Sequence, residues 1–324
     1  MKQAIAIGML MLLPILSCAT VHPASVPAAV DGYATVGDVR LHYVSRGSGP
    51  LILFVHGFPE FWYAWRDQLA EFGRDHQAVA FDMRGYNLSS KPAAIDAYQV
   101  PKMVEDIRAL ADQFGARKFI LVGHDWGGAI AWAFAIAHPE RLEKLVIINA
   151  PHPAIFGREI ANNPAQQRAS QYMTMFRTPE AEQQLSANNY AALMRLSLAE
   201  VVTSGHLTSA DSAEYIKAWS QPGALTGGLN YYRAMGIRPP APGAAPAAAS
   251  RASAPDMMVR VPTMVIWGER DPFLLTGNLD GLDAYVPSLV VKRIPDATHW
   301  VVHERPAEVN ALIREFIVAP VTGP

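Results

Sequence analysis

Phe119-Ile120-Leu121-Val122-Gly123-His124-Asp125-Trp126-Gly127-Gly128 is the stretch whose reading decides the fold. Its four leading apolar residues form a short strand pattern, and the run from Ala129 to His138 that follows carries helical spacing. Between them lies a glycine-flanked turn. That context is a nucleophile elbow, a sharp strand-to-helix turn that pushes one side chain out over a sheet. In most such elbows the central residue is serine; here it is Asp125.

Outward from the elbow, similar apolar runs recur at Leu51-Ile52-Leu53-Phe54-Val55, Ala78-Val79-Ala80-Phe81 and Leu145-Val146-Ile147-Ile148, with helical spacing from Val104 to Phe114. Runs this continuous predict strands buried on both faces, and their alternation with helices predicts a parallel sheet of βαβ units. The pattern changes at Pro151. From there to about Arg238 no strand-like run occurs, and the Ala-, Gln-, Leu- and Met-rich sequence reads as a helical insertion. Pro239 to Pro255, dominated by Pro, Ala and Gly, reads as a linker back to the core. Strand-like runs resume at Thr263-Met264-Val265-Ile266-Trp267 and Leu289-Val290-Val291, and Pro306 to Phe316 reads as a closing helix with proline in its first turn. The expected class is therefore α/β, a mostly parallel central sheet flanked by helices. Its core is divided between residues 31–150 and 257–324, with a helical lid and its return linker at 151–256.

Residues 1–30 read as an export segment: Lys2 precedes an apolar run from Ala4 to Leu16, too short for a bilayer span, and a Pro/Ala-rich linker follows. Ile15-Leu16-Ser17-Cys18 resembles a bacterial lipobox, which would make Cys18 a lipid anchor; the flanks equally allow ordinary cleavage near Ala24 or Ala28. Both readings put the mature protein outside the cytoplasm, in the periplasm, on a membrane by its lipid, or secreted. Cys18 is the single cysteine, so no intrachain disulfide forms. With 324 residues, half of them hydrophobic and 17% charged, the chain has ample material for a core. A net charge of -2 gives no reason to expect nucleic acid as a partner. No zinc-type spacing, P-loop or EF-hand loop occurs, so the expected chemistry needs no metal or cofactor. Oligomeric state is not encoded in any motif.

Two further elements complete the elbow. Asp271, in Trp267-Gly268-Glu269-Arg270-Asp271-Pro272, ends the next-to-last strand, and His299, in Ala297-Thr298-His299-Trp300, follows the last. Nucleophile, acid, histidine is the chain order that accompanies such an elbow. Glu269 and Asp296 are competing acids, while Asn149, at the end of the preceding strand, cannot serve as one. His56-Gly57-Phe58-Pro59-Glu60 follows the Leu51–Val55 run where an oxyanion loop belongs; the backbone N–H groups of Phe58 and Trp126 are the expected oxyanion donors, since Pro59 has none. His56 reads as structural, as does the loop Asp82-Met83-Arg84-Gly85-Tyr86.

Across nearly the whole chain after residue 30 the sequence resembles the α/β-hydrolase-fold epoxide hydrolases. The matching stretches are His56-Gly57-Phe58-Pro59-Glu60-Phe61-Trp62, Gly123 to Gly128, Ser220-Gln221-Pro222-Gly223-Ala224-Leu225 and Asn230-Tyr231-Tyr232-Arg233. The resemblance implies Asp125 as nucleophile, Asp271 and His299 as charge-relay pair, and Tyr172 and Tyr232 as lid tyrosines that activate the epoxide oxygen. Tyr231, Tyr190 and Tyr215 are the competing tyrosines. Departures from the family pattern are the Pro/Ala-rich stretch before Asp256 and Asn87-Leu88-Ser89, where the family often has another glycine.

The chemistry agrees with the residue types. A carboxylate can attack an sp³ carbon without first losing a proton, whereas attack on a carboxylic ester would give a strained anhydride. Tyrosines, with reference pKa near ~10, suit protonation of the alkoxide an epoxide releases. Phe58, Trp126, Phe273 and Trp300 are the expected apolar pocket for a small epoxide, with water as co-substrate. Two other readings compete. In a haloalkane dehalogenase the Phe58 position would carry a polar halide ligand, and in a fluoroacetate dehalogenase arginines would replace Trp126 and Ala129. A binding protein on a retained hydrolase fold would have lost part of the triad.

Overall fold

The computed structural model describes residues 27–241 and 256–320. The expected export segment up to residue 26, with Cys18, and residues 242–255 of the expected linker lie outside the described residues. Among the described residues eight strands form one sheet: β1 (Val30–Val36), β2 (Val39–Arg46), β3 (Leu51–Val55), β4 (Gln77–Phe81), β5 (Phe119–His124), β6 (Leu142–Ile148), β7 (Thr263–Gly268) and β8 (Leu289–Ile294). Their order is β1-β2-β4-β3-β5-β6-β7-β8, with β1, β2 and β4 joined antiparallel and every other pair parallel.

The α-helices are α1 (Arg66–Phe72), α2 (Val100–Gln113), α3 (Trp126–Ala137), α4 (Pro153–Asn162), α5 (Pro164–Ala169), α6 (Tyr172–Met175), α7 (Ala181–Leu196), α8 (Ala199–Thr203), α9 (Ser209–Trp219), α10 (Ala224–Ala234), α11 (Val301–Glu304) and α12 (Pro306–Val318). Side chains alternate across each strand, so Leu51, Leu53 and Val55 of β3 face α2 and α3 while Ile52 and Phe54 face α1 and α12. Helices on both faces explain why β3, β5 and β7 are buried throughout and largely apolar. The last strand departs from that expectation. The expected strand at Leu289–Val291 forms, but β8 is the sheet edge and leaves Val290 and Val291 exposed. Helices α2 and α3 also begin before the Val104 and Ala129 of the sequence reading, α3 directly after the elbow.

Between β6 and β7 the described chain is helical, α4 to α10, and α7 is interrupted at 187–190, where Asn188, Asn189 and Tyr190 take positive φ. Side-chain bonds dock this segment onto the core. The Trp219 indole donates to the carbonyl of Pro59 (2.6 Å), the Tyr231 hydroxyl to that of Arg84 (2.8 Å), and Gln166 to that of Phe273 (2.7 Å). Arg84 is held in turn by a two-pronged pair with Asp106. Asn87, at the departure from the family pattern, has φ 38°, a state asparagine tolerates, and its amide bonds Asp82 at 2.8 Å.

A close backbone approach lies under the elbow. Helix α3 enters so near β3 that a Cβ on Gly127 would collide with the carbonyl oxygen of Val55. Gly127→Ala is therefore expected to destabilise the fold by about 1–3 kcal/mol, the usual cost of overpacking. Urea unfolding measures this, and a variant as stable as wild type would show that the helix can move away freely.

Candidate active site

Asp125 ends the β5 strand at φ 52° and ψ -122°, outside the regions ordinary residues favour. The turn lifts its carboxylate into a cavity between sheet and helical lid, against the loop after β3. There the Phe58 N–H donates to Asp125 Oδ1 at 2.7 Å. Gly57 makes room for this contact, because a Cβ there would strike the Asp125 side chain. Of the two expected oxyanion donors, Phe58 alone bonds the free carboxylate; the Trp126 N–H opens α3 immediately beside it.

His299 Nε2 lies 3.7 Å from Asp125 Oδ2, and its Nδ1 lies 2.6 Å from Asp271 Oδ2. Asp271 is saturated with donors. Its Oδ1 accepts the N–H groups of Phe273 (2.8 Å) and Leu274 (2.9 Å), and its Oδ2 also accepts the Asn149 amide at 2.8 Å. A carboxylate fixed this way orients the imidazole. Asn149, correctly excluded as an acid, thus holds the acid in place. Glu269 and Asp296 pair with Arg293 and Arg305 instead, on the surface.

Burial alone would lower the pKa of His299, but the Asp271 charge and hydrogen bond, then Asp125 and Glu60, outweigh it and raise it to about 9. The free site thus holds an imidazolium between two carboxylates at neutral pH. Alkylation or protonation of Asp125 would remove one of those raising charges.

Both expected tyrosines reach the same cavity. Tyr172, on α6, and Tyr232, on α10, have ring centroids 6.0 Å apart and both line the space around Asp125. Burial raises both hydroxyl pKa values; the Asp125 charge adds to this for Tyr172, and Tyr172 followed by Asp125 adds to it for Tyr232. Both are therefore proton-bearing donors. The competing tyrosines are engaged elsewhere: Tyr231 with the Arg84 carbonyl, Tyr190 with that of Trp219, and Tyr215 with Glu60. Phe58, Phe273 and Trp300 line the cavity beside His299, and Trp126 lines its other side.

Several supporting residues carry no signal in the one-dimensional pattern. The Arg177 guanidinium donates to the Tyr232 carbonyl at 2.6 Å and to those of Met235 and Ile237, fixing the end of α10. The His124 ring bridges Glu60 Oε2 (3.1 Å) and the main-chain carbonyl of His299 (2.9 Å). Glu60 also meets His303 at 2.5 Å; burial would raise its carboxyl pKa, but His303 and His124 hold it well below the usual range. Their motif neighbours were visible, but their partners were not. His56 is structural, as expected: its Nε2 accepts the Met83 N–H and burial lowers its pKa.

The alpha/beta hydrolase fold family profile matches residues 50–306. The chain is 37% identical to epoxide hydrolase 4 of Mus musculus over 295 residues, 88% of this chain and 79% of that one. It is 38% identical to the AB hydrolase superfamily protein YfhM of Bacillus subtilis, over 88% of this chain and 96% of that protein. Among solved structures, the Bacillus megaterium epoxide hydrolase in complex with an inhibitor aligns with a TM-score of 0.83 at 39% identity, covering 89% of this chain and all of that one.

The raised pKa of His299 links folding to pH. A group raised from 6.5 to about 9 contributes stability that is complete below 6.5 and is lost as pH rises through about 9. The thermal midpoint of the wild type is expected to fall across that window, and that of His299→Gln to fall less. Parallel pH profiles of the two melting curves would refute the ion-pair assignment.

Proposed function

This chain belongs to the epoxide hydrolases of the α/β-hydrolase fold, and we propose that it converts an epoxide to a vicinal diol through an ester on Asp125. The observation that carries the mechanism is the division of labour between the two oxygens of Asp125. Oδ1 already occupies the Phe58 N–H, whereas Oδ2 faces His299 without a hydrogen bond.

In the first step Oδ2 attacks a ring carbon, the C–O bond of the ring breaks, and its electron pair goes to oxygen. That oxygen takes a proton from Tyr172 or Tyr232, whose hydroxyls are kept protonated by burial beside Asp125. Ester formation cancels the charge on Asp125. His299 then loses one of the influences that raise its pKa, and burial favours its neutral form, the form that can act as base; the proton it gives up restores the tyrosine that protonated the ring oxygen.

In the second step His299 Nε2 removes a proton from water, and the hydroxide adds to the ester carbonyl of Asp125. The electron pair moves onto Oδ1, already at the Phe58 N–H, with the Trp126 N–H adjacent to share the charge. Collapse of this intermediate expels the diol oxygen, which takes the proton from His299; the proton that the added hydroxide leaves on the Asp125 carboxyl then passes to His299, restoring the carboxylate and the imidazolium. Asp271 keeps the His299 ring oriented throughout, itself fixed by three further donors.

The apolar run after Lys2 supports an exported protein, with Cys18 as a candidate lipid attachment point.

Removing the base should stall the reaction at the ester. His299→Gln incubated with a terminal epoxide is expected to gain the full epoxide mass by intact-mass spectrometry, and the adduct should vanish when Asp125→Ala is added. Diol formation by Asp125→Ala alone would refute the nucleophile assignment.

A further inference from the structure

Two cavities of very different size share Asp125, Tyr172 and Tyr232 in their walls. The larger holds about 490 Å³ and extends along α3, where Ala129 and Ala133, one helical turn apart, present only methyl groups; Phe156, Met173 and Ile237 cover it from the lid side. Apart from Gln99 and the three shared groups its lining is apolar. The smaller holds about 30 Å³ and is lined by Phe176, Leu196, Ser197, Phe273 and Trp300 beside the shared groups. His299 lines the small cavity and not the large one.

These volumes decide what each side can accept. A protein cavity of about 150 Å³ admits benzene, and roughly 10–15 Å³ suffices for one water. The large arm is therefore roomy enough for an aromatic group, while the small arm holds a water or two and no ring. Since His299 faces only the small arm, the water it activates must come from there, and a substituent reaching into that arm would displace it.

We infer that this chain selects terminal epoxides, with the unsubstituted ring carbon towards the small arm and one bulky apolar substituent in the large arm, and rejects epoxides carrying a large group on both carbons. This rests on the proposed epoxide hydrolysis at Asp125 and adds its substrate class. Leu196 sets the upper size limit on one side, and Ala129 and Ala133 leave the space on the other.

The test compares kcat/KM for propylene oxide, phenyl glycidyl ether and trans-stilbene oxide. Wild type is expected to prefer phenyl glycidyl ether over trans-stilbene oxide by roughly 100-fold or more, the discrimination available when a pocket wall refuses a bulky group. Leu196→Ala, which enlarges the small arm, should narrow that ratio at least about tenfold, and Ala133→Phe, which fills the large arm, should shift preference from phenyl glycidyl ether towards propylene oxide by a similar factor. Comparable kcat/KM for phenyl glycidyl ether and trans-stilbene oxide in wild type, or ratios unmoved in both variants, would overturn the size-sorting inference while leaving epoxide hydrolysis intact. Failure to form diol from all three epoxides would overturn the hydrolysis itself, and the inference with it.

Discussion

Asp125 stands in a backbone conformation, φ 52° and ψ -122°, that is kept only when its surroundings over-determine it. Such a state costs of order 1–3 kcal/mol, and its return is position: the carboxylate projects from the end of a buried strand with no flexible loop beneath it. The restraints come from both sides. The glycine at 127 lets α3 press against β3, the glycine at 57 lets the oxyanion loop press against the carboxylate, and the Phe58 N–H fixes one oxygen. A loosening of any one would move the reactive oxygen relative to His299.

Around this point the protein buries five titratable groups. Asp271, His299, Glu60, His124 and His303 are all nearly inaccessible to solvent. Burial of isolated charges would be costly, so each has partners: Asp271 meets four donors, and Glu60 sits between two histidines and the Tyr215 hydroxyl. The two groups share a joint, because the His124 ring that bonds Glu60 also bonds the carbonyl of His299. His299 is thus held by its ring at one end and by its backbone at the other. The tyrosines contribute the opposite property: burial beside a carboxylate keeps them neutral, so the site offers protons on the lid side and accepts them on the sheet side.

Much of this was legible in the residue order. The core strands announce themselves as unbroken apolar runs because both of their faces are covered, and the elbow announces itself because only small residues permit its turn. The hairpin of β1 and β2 carried no such run, since polar residues interrupt its apolar ones, and the valines of β8 do not tell a sheet edge from a core. Asp125, Asp271 and His299 were identified by order and context, and Tyr172 and Tyr232 by resemblance.

By itself the sequence determined the fold class and singled out Asp125, Asp271 and His299 as candidates, because local turn chemistry and hydrophobic continuity are written in neighbouring positions. Only the tertiary structure decided who holds those residues and how much room surrounds them. Asn149 meets Asp271 across 122 positions, His124 meets the carbonyl of His299 across 175, and Glu60 meets His303 across 243. Cavity size likewise depends on how the lid helices settle on α3 and bring the lining side chains together. Hydrogen bonds and empty volume are properties of juxtaposition, and juxtaposition across so many residues exists only once the sheet has brought the ends of its strands together.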